Sequence, residues 1–194
     1  MTRSTPLDHV SDGSGPGLVL IHGTGADASS TWGGLIQGAS DRYAILAPNL
    51  PGVGATPPAL GPLDLDELAD QVISTARACG LERFHLVGHS LGAVIAAAVA
   101  ARQPSAVTSL VLHAGWVRSG PREAFMFDLW ARLLHTDPAL LARQLILTAM
   151  GPDQLSGLDE DGFEELAAGF TTMLSESILP QLELDRRIDL LDRV

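Results

Sequence analysis

The chain has 194 residues, of which 46% are hydrophobic and 18% are charged, with a formal net charge of −11. This composition is that of a folded globular protein, long enough for one domain or for a domain with an insertion. All twelve basic residues are arginine. The acidic balance argues against nucleic-acid and anionic-membrane partners, because phosphate binding needs clustered positive side chains. The absence of lysine excludes Schiff-base lysine chemistry and a P-loop.

The chain shows no targeting or membrane pattern. Its first residues contain no apolar core, so no secretory signal is predicted. The longest apolar run, 93–101, is too short to cross a bilayer. The single cysteine, Cys79, cannot form an internal disulfide and is expected to be a small core residue. We therefore expect a cytoplasmic protein.

Four short apolar runs, at 18–21, 43–47, 84–87 and 109–112, are typical of strands buried on both faces of a parallel sheet. A periodic segment between the second and third runs predicts a helix with a capping box of Asp64 and Glu67, ending at Gly80. An alanine- and valine-rich helix, buried nearly all round, is predicted over 91–103. The fold class is therefore α/β, with a mostly parallel sheet flanked by helices.

Helical periodicity replaces the strand pattern from about residue 122 to residue 184. Two amphipathic helices are predicted over 123–135 and 139–150, followed by an acidic loop over 153–162 and a helix over 163–174.

We interpret this change as a division into a core, a cap and a return. The core covers residues 1–115, the helical cap covers 116–187, and 188–194 is a short helical or turn segment that begins the return to the core. A helical tail merely packed on the sheet is the alternative.

Residues 86–92 read LVGHSLG, a Gly-x-Ser-x-Gly pattern between a predicted strand and a predicted helix. Such a turn forces its serine into a strained conformation, and only small residues two places to either side let strand and helix pass so closely. We predict Ser90 to be a nucleophile, with the N–H of Leu91 facing a developing oxyanion. A purely structural turn is the alternative.

The first predicted strand runs directly into His22-Gly23-Thr24-Gly25. The turn after such a strand supplies the second oxyanion donor, and glycines let the backbone approach a substrate closely. We predict the N–H of Thr24 to be that donor. His22 is expected to hold this loop rather than to act as a base, and His22 and Gly23 are candidates for lining the pocket.

These motifs resemble the α/β-hydrolase fold superfamily, in its branch of small cap-bearing esterases, lactonases and C–C hydrolases. The matching stretches are LVLIHGTG, YAILAPNLPGVGATP, LDLDELADQVISTARACGLERFHLVGHSLG and PSAVTSLVLHAG, in the order of the family, over residues 6–115. The family usually has aspartate at the position of Asn49 and often histidine at that of Val53. We expect these departures to alter hydrogen bonding in a loop near the site.

The resemblance also implies a catalytic acid and then a histidine after Ser90, each following a later strand. The sequence matches neither, so both are predicted to lie beyond Val194. His85 and His89 are expected to be structural, with His89 packed beneath the turn. His113 ends the strand expected beside that of Ser90, and it is a candidate for lining the pocket more than for a surrogate base.

Aromatic residues of the cap have two interpretations. Trp116, Phe125, Phe127 and Trp130 either line an apolar acyl pocket or anchor the cap helices. The acidic residues of this region show no ligand spacing, so neither a metal nor a cofactor is predicted.

The sequence thus predicts a serine hydrolase that acts on a small ester, lactone or related carbonyl compound through an acyl-enzyme on Ser90. A non-catalytic, hydrolase-like ligand-binding domain and an acyltransferase on the same scaffold are the alternatives. The strand that ends at His113 is expected to present an open apolar edge. Such an edge favours a homo-oligomer unless the cap or a second chain covers it.

Overall fold

Five strands and eight helices follow one another along residues 6–191, the part of the chain that the computed structural model describes. The first residues of the chain and the last three of the predicted return segment 188–194 lie outside that part. The strands are β1 (His9–Asp12), β2 (Gly17–Ile21), β3 (Ala44–Pro48), β4 (Phe84–His89) and β5 (Val107–His113). The helices are α1 (Ala28–Ala39), α2 (Leu65–Ala78), α3 (Leu91–Arg102), α4 (Pro121–Thr136), α5 (Pro138–Ala149), α6 (Pro152–Leu155), α7 (Glu160–Met173) and α8 (Leu179–Asp185).

The strands form one sheet in the order β1-β3-β2-β4-β5. Strands β3, β2, β4 and β5 are parallel, and β1 pairs antiparallel with β3. The four predicted strands and the α/β fold class are confirmed. Strand β1 was not predicted because its sequence, His-Val-Ser-Asp, is short and has only one apolar residue. Because the four parallel strands run in the same direction, their C-terminal ends lie on the same side of the sheet, and the loops after β2 and β4 meet there.

Helices α2 and α3 form much of the core on one face of the sheet. The Asp64 carboxylate accepts the N–H groups of Asp66 and Glu67 and so caps α2. The return bond from the Glu67 side chain that a full capping box needs is not formed between these two described residues. Gly80, with φ of +79°, ends the helix as predicted, whereas Cys79, which was expected in the core, is exposed because it caps the end of the helix. Helix α3 is buried over most of its length, since it lies between the sheet and its neighbours.

The helical segment 121–185 differs from its prediction in two places: helix α8, which no predicted helix covers, and the acidic loop before α7. The expected loop over 153–162 contains α6 and the start of α7, because the Asp159 carboxylate accepts the N–H of Gly162 and so begins α7 early. An apolar cluster of Phe127, Leu134, Leu141, Ile178 and Leu182 holds α4, α5 and α8 together. None of the helices within residues 6–191 is both long and apolar enough to span a bilayer.

The chain after α8 returns to the start of the helical segment as a short extended stretch. Asp189 forms an isolated antiparallel bridge with Arg118, and Leu190 donates its N–H to the carbonyl of Val117. The segment predicted to be a helix or turn is therefore, in its described part, an extended stretch that pairs with the backbone of residues 117–119.

Strand β5 is not buried on both faces as its apolar run predicted. It pairs with β4 on one side, and among residues 6–191 no strand pairs with its other side. Leu110, Val111 and Leu112 are 38%, 53% and 49% exposed. The described part of the chain thus presents an open, apolar sheet edge, as was expected for the strand that ends at His113.

Candidate active site

Ser90 lies between the last residue of β4 and the first residue of α3, with φ of +54° and ψ of −122°. Only one other non-glycine residue among those described, Ala114, has a positive φ. The N–H of Ser90 donates to the carbonyl of His113 over 2.9 Å, which ties the turn to the end of β5. A backbone in this sparsely populated region costs on the order of 1–3 kcal/mol, so the surrounding structure must enforce it.

Two glycines enforce that conformation. A Cβ added to Gly88 would lie 2.2 Å from the carbonyl oxygen of Gly92, and one added to Gly92 would lie 2.2 Å from the carbonyl oxygen of Ile21. Both obstacles are backbone atoms, so no side-chain movement would make room. The strand before Ser90, the helix after it and β2 therefore cross in backbone contact, which is the reason for the Gly-x-Ser-x-Gly spacing.

The loop after β2 lies directly against Ser90. A Cβ added to Gly23 would lie 2.9 Å from the Cβ of Ser90. His22, at the base of this loop, is fully buried, and its Nε2 accepts the N–H of Leu50 at 3.0 Å. Its Nδ1 therefore carries the proton and donates to the carbonyl of Gly23 at 2.8 Å. With both ring nitrogens engaged, and with burial lowering the pKa of His22, this side chain is a neutral fixture of the loop.

Two backbone N–H groups beside Ser90 are free of protein partners. Within residues 6–191 the N–H groups of Thr24 and Leu91 donate to no other protein group. That of Leu91 is at the first position of α3, where helical N–H groups have no acceptor within the helix. Free N–H groups at a helix start favour negative charge beside them.

Two histidines occupy the ends of β4 and β5. His89 and His113 are paired in the register of the two strands, and their Nδ1 atoms lie 2.8 Å apart. The rings stack with centroids 4.9 Å apart. Burial first, and then the His113 ring, lower the pKa of His89. His89 was expected to pack beneath the turn, but it is only half-buried and lines the same cavity as Ser90.

A cavity of about 390 Å³ opens over Ser90. Its floor is formed by the loop after β2, by His89 and by Ser90. Its walls come from the start of α1 and from one face of the helical segment. The wall residues are Ser30, Thr31, Trp130, Leu145, Ala149, Phe170, Met173 and Leu174. No arginine, aspartate or glutamate lines it among the described residues.

The residues predicted to line the pocket do not all line the same cavity in the structure. Gly23 and Trp130 line the cavity over Ser90, whereas His22 and His113 do not. Trp116 lines a different cavity, of about 380 Å³, beside the exposed face of β5. Trp116 and Trp130 both pack on Phe127.

Asn49, at the position where the resemblance led us to expect aspartate, uses both polar atoms of its amide. Its Oδ1 accepts the N–H of Ala28 at 2.9 Å, and its Nδ2 donates to Asp8 at 2.8 Å. The N–H of Ala55 and the amide of Asn49 together lower the pKa of Asp8. A carboxylate at position 49 could not donate to Asp8, so the amide fits this loop.

Two polar residues of α8 were missed by sequence reasoning. Thr24 donates its hydroxyl to Asp185 at 2.6 Å, and the N–H of Gly25 donates to the Gln181 side chain at 3.2 Å. Both partners are fully buried. They lie more than 150 residues from the loop, in a helix whose pattern signals only amphipathicity, so no local signal could have found them.

Comparison with known proteins agrees with this architecture. The sequence profile of a family described as alpha/beta hydrolase fold matches residues 16–149. A protein of Xenorhabdus hominickii named pyrrolizixenacetamide deacetylase is 37% identical over 180 residues, covering 92% of this chain and 68% of its own. An acetyltransferase component of the acetoin cleaving system of Pseudomonas putida is 33% identical over 160 residues, covering 75% of this chain and 42% of its own.

Solved structures give the same result for the fold. The enol-lactonase of Burkholderia xenovorans superposes with a TM-score of 0.79 at 19% identity, over 96% of this chain and 72% of its own. The chain thus spans about two thirds of the deacetylase and less than half of the acetyltransferase component. With the family profile matching more than half of its length and this deacetylase so similar over nearly all of it, the chain belongs to the alpha/beta hydrolase family of enzymes.

Proposed function

We propose that this chain carries the nucleophile of a serine hydrolase that cleaves small, uncharged esters, lactones or amides. The observation that carries the proposal is the strained backbone of Ser90 at the junction of β4 and α3, facing a cavity of small-molecule size. The deacetylase and the enol-lactonase both bear names of enzymes that cleave an acyl C–N or C–O bond, which supports this reaction class.

In the proposed reaction, the Oγ of Ser90 attacks the carbonyl carbon and loses its proton to a general base. The tetrahedral intermediate collapses to an acyl-enzyme as the alcohol or amine leaves with a proton. Water then attacks the acyl-enzyme, releases the carboxylic acid and returns the proton to Ser90. The negative oxygen of each intermediate is assigned to the N–H groups of Leu91 and Thr24.

The general base is proposed to come from residues outside this sequence. His22 has both ring nitrogens engaged, and no histidine among residues 6–191 hydrogen-bonds the hydroxyl of Ser90. Relatives such as the deacetylase are longer than this chain, so a longer protein has room for a histidine and an acid that complete a triad with Ser90. The helical segment is assigned the role of a cap over the cavity.

The substrate class follows from the cavity walls. Trp130, Leu145, Phe170 and Met173 offer apolar surface, and no Arg, Asp or Glu side chain of the described residues lines the cavity. An ionised acyl group would lose hydration there without gaining an arginine as an ion-pair partner. We therefore expect neutral acyl groups to be preferred over groups that bear a carboxylate.

The test uses the full-length protein with a fluorophosphonate probe and with p-nitrophenyl butyrate. We expect the probe to label Ser90, and Ser90→Ala to abolish labelling and to lower kcat at least about a thousandfold. Ser105→Ala, at an exposed turn, is the matched control and should retain activity. Absence of labelling in the wild type would instead support a non-catalytic ligand-binding domain.

A paired substrate checks the acyl preference. The kcat/KM for the p-nitrophenyl ester of butyrate should exceed that for the ester of hemisuccinate by about tenfold or more. The hemisuccinate ester carries a carboxylate that would lose hydration in the cavity without an ion-pair partner. Equal values would contradict the assignment of a neutral acyl group.

Acyl transfer is a second candidate, favoured by the similarity to the acetyltransferase component of Pseudomonas putida. Both reactions use the same acyl-enzyme, and they differ in whether water or another nucleophile takes the acyl group. Product analysis with an added alcohol or amine acceptor distinguishes them. An ester or amide product that replaces most of the free acid would indicate a transferase.

A further inference from the structure

Asp185, the last residue of α8, is a buried carboxyl group for which the proposed mechanism has no direct use. The residue is fully buried. Its Oδ2 accepts the hydroxyl of Thr24 at 2.6 Å, and its Oδ1 has no hydrogen-bond partner among the described residues. A buried acid with one unpaired oxygen costs free energy, so its presence calls for a compensating role.

Gln181 lies one helical turn before Asp185 and faces the same loop. Because residues four apart lie on one face of a helix, both side chains point the same way. The Oε1 of Gln181 accepts the N–H of Gly25 at 3.2 Å, and its Nε2 donates to the carbonyl of Pro51 at 3.1 Å. Helix α8 therefore hydrogen-bonds two successive residues of the loop after β2: Thr24 through its side-chain hydroxyl and Gly25 through its backbone N–H.

The helix is itself fixed in place. The hydroxyl of Ser119, two residues before α4, donates to the backbone carbonyl of Asp185 at 2.5 Å. On the loop side, a Cβ added to Gly25 would lie 3.1 Å from the Cδ1 of Ile178. The loop around Thr24 thus packs against a helix that is tied to its neighbours, so it cannot shift without breaking buried hydrogen bonds.

We propose that Asp185 and Gln181 are positioning residues for the oxyanion donor: they hold residues 22–25 so that the N–H of Thr24 stays directed at the oxygen formed when Ser90 attacks. This inference rests on the proposed function. Neither residue lines the cavity over Ser90, so neither binds the substrate. They act through the loop, and their arrangement couples the helical segment to the catalytic turn.

A positioning role predicts a specific kinetic signature. The contact with the oxyanion exists only in the transition state and intermediates, so loosening it lowers kcat and leaves KM unchanged. Loss of an entire oxyanion donor costs on the order of a hundredfold to a thousandfold in rate. A donor that is present but poorly held should cost less, about tenfold to a hundredfold.

The experiment measures fluorophosphonate labelling of Ser90 and turnover of p-nitrophenyl butyrate in the full-length protein, well below each variant's Tm. We expect Asp185→Ala to lower the labelling rate constant and kcat about tenfold or more, with KM within twofold of the wild type. Asp185→Asn, which keeps an oxygen for the Thr24 hydroxyl, should restore both to within about threefold. Glu183→Ala, at an exposed position of the same helix, is the matched control and should match the wild type.

A double-mutant cycle separates positioning from general destabilisation. Thr24→Val removes the hydroxyl that Asp185 holds and keeps the backbone N–H. If the hydrogen bond is the link, Thr24→Val combined with Asp185→Ala should cost no more than either change alone. Additive losses, or a kcat of folded Asp185→Ala within twofold of the wild type, would overturn the inference. Absence of labelling in the wild type would overturn the proposed function itself, so the two failures are distinguishable.

Discussion

Strands β2 and β5 contain the same tripeptide, Leu-Val-Leu, in two different surroundings. In β2, at residues 18–20, the three side chains are at most 7% exposed. In β5, at residues 110–112, they are 38–53% exposed. Both strands pair in parallel with β4, so the difference does not come from their own pairing with it.

The difference comes from what lies on their other sides. Strand β2 lies between β3 and β4, and Leu18 and Leu20 pack with residues of α1 such as Ala28 and Ile36. Strand β5 has a single neighbouring strand among residues 6–191. Composition therefore predicts that a segment forms a strand, whereas its burial depends on elements that pack against it from elsewhere in the chain.

The largest expected effect comes from shortening the same leucine in each tripeptide. In the 194-residue chain, Leu20→Ala should lower the free energy of unfolding by about 2–5 kcal/mol, because it leaves a cavity in a closed core. Leu112→Ala should cost less than about 1 kcal/mol, because this side chain is half exposed. Urea denaturation of the two variants measures both values. Equal losses would show that another copy of the chain covers β5 in solution.

The loop after β3 is held by the hydrogen bond from Asn49 to Asp8, and the substitution Asn49→Asp tests the contribution of that bond to stability. The change replaces a donor with a second carboxylate facing Asp8, and it should cost about 1–3 kcal/mol at pH 7. One carboxyl of the new pair then has a raised pKa, so its protonation restores a hydrogen bond. The deficit should therefore shrink as pH falls through that raised pKa.

The exchanged pair is the control for that prediction. Asp8→Asn combined with Asn49→Asp again provides one amide and one carboxylate, and it should regain most of the lost stability. Thermal melts at pH 4 and pH 7 suffice for the measurement. A deficit that stays constant with pH would contradict the charge explanation.

The next expected effect depends on pH: burial raises the pKa of Asp185 to about 7, against a lowering contribution from the Thr24 hydroxyl. In the unfolded chain this carboxyl ionises near its ordinary pKa of about 4. Between these pH values the native state holds a proton that the unfolded state has lost, so the group's contribution to stability falls as pH rises from about 4 to about 7.

Asp185→Asn removes this titration. The stability of the variant relative to the wild type should rise across that interval, by on the order of 1 kcal/mol per pH unit, and should level off above it. Denaturant unfolding of both proteins between pH 4 and pH 8.5 provides the comparison. A difference that does not change with pH would show that Asp185 ionises normally in the folded protein.

The smallest effect concerns self-association through β5. An open edge with Val111 more than half exposed favours edge-to-edge pairing, and a lysine there opposes it. We expect Val111→Lys to weaken self-association of the 194-residue chain by about tenfold in Kd, whereas Leu35→Lys, at an exposed position of α1, should change it little. Sedimentation velocity over a concentration series measures this. A wild-type chain that stays monomeric throughout would contradict the expectation.

Most of the fold could be predicted because its signals are local. Apolar runs and helical periodicity located β2 to β5, α2 and α3, and LVGHSLG in its context predicted the strained turn at Ser90. Strand β1 escaped because four residues with one apolar side chain carry little pattern. Helix α1 escaped because Ala28–Ala39 contains three glycines and few regularly spaced apolar residues.

The candidate site could be predicted from the sequence only where its residues are contiguous in the chain. Ser90, Leu91, Gly23 and Thr24 belong to short motifs whose glycine spacing reflects steric limits. The cavity walls come from α1, α4, α5 and α7, and which faces of these helices turn toward Ser90 depends on their packing. Amphipathic sequences do not specify that packing, so Trp116 and Trp130 looked equivalent although only Trp130 lines the cavity over Ser90.

By itself, the sequence determined the parallel sheet and the turn that holds Ser90, because hydrophobic periodicity and glycine sterics act over a few residues. Only the tertiary structure decided that β2 is buried while β5 is exposed, that His89 lies in the cavity, and that Asp185 reaches Thr24 from α8. Burial and long-range hydrogen bonds depend on how distant segments pack, and no local pattern in the chain encodes that packing.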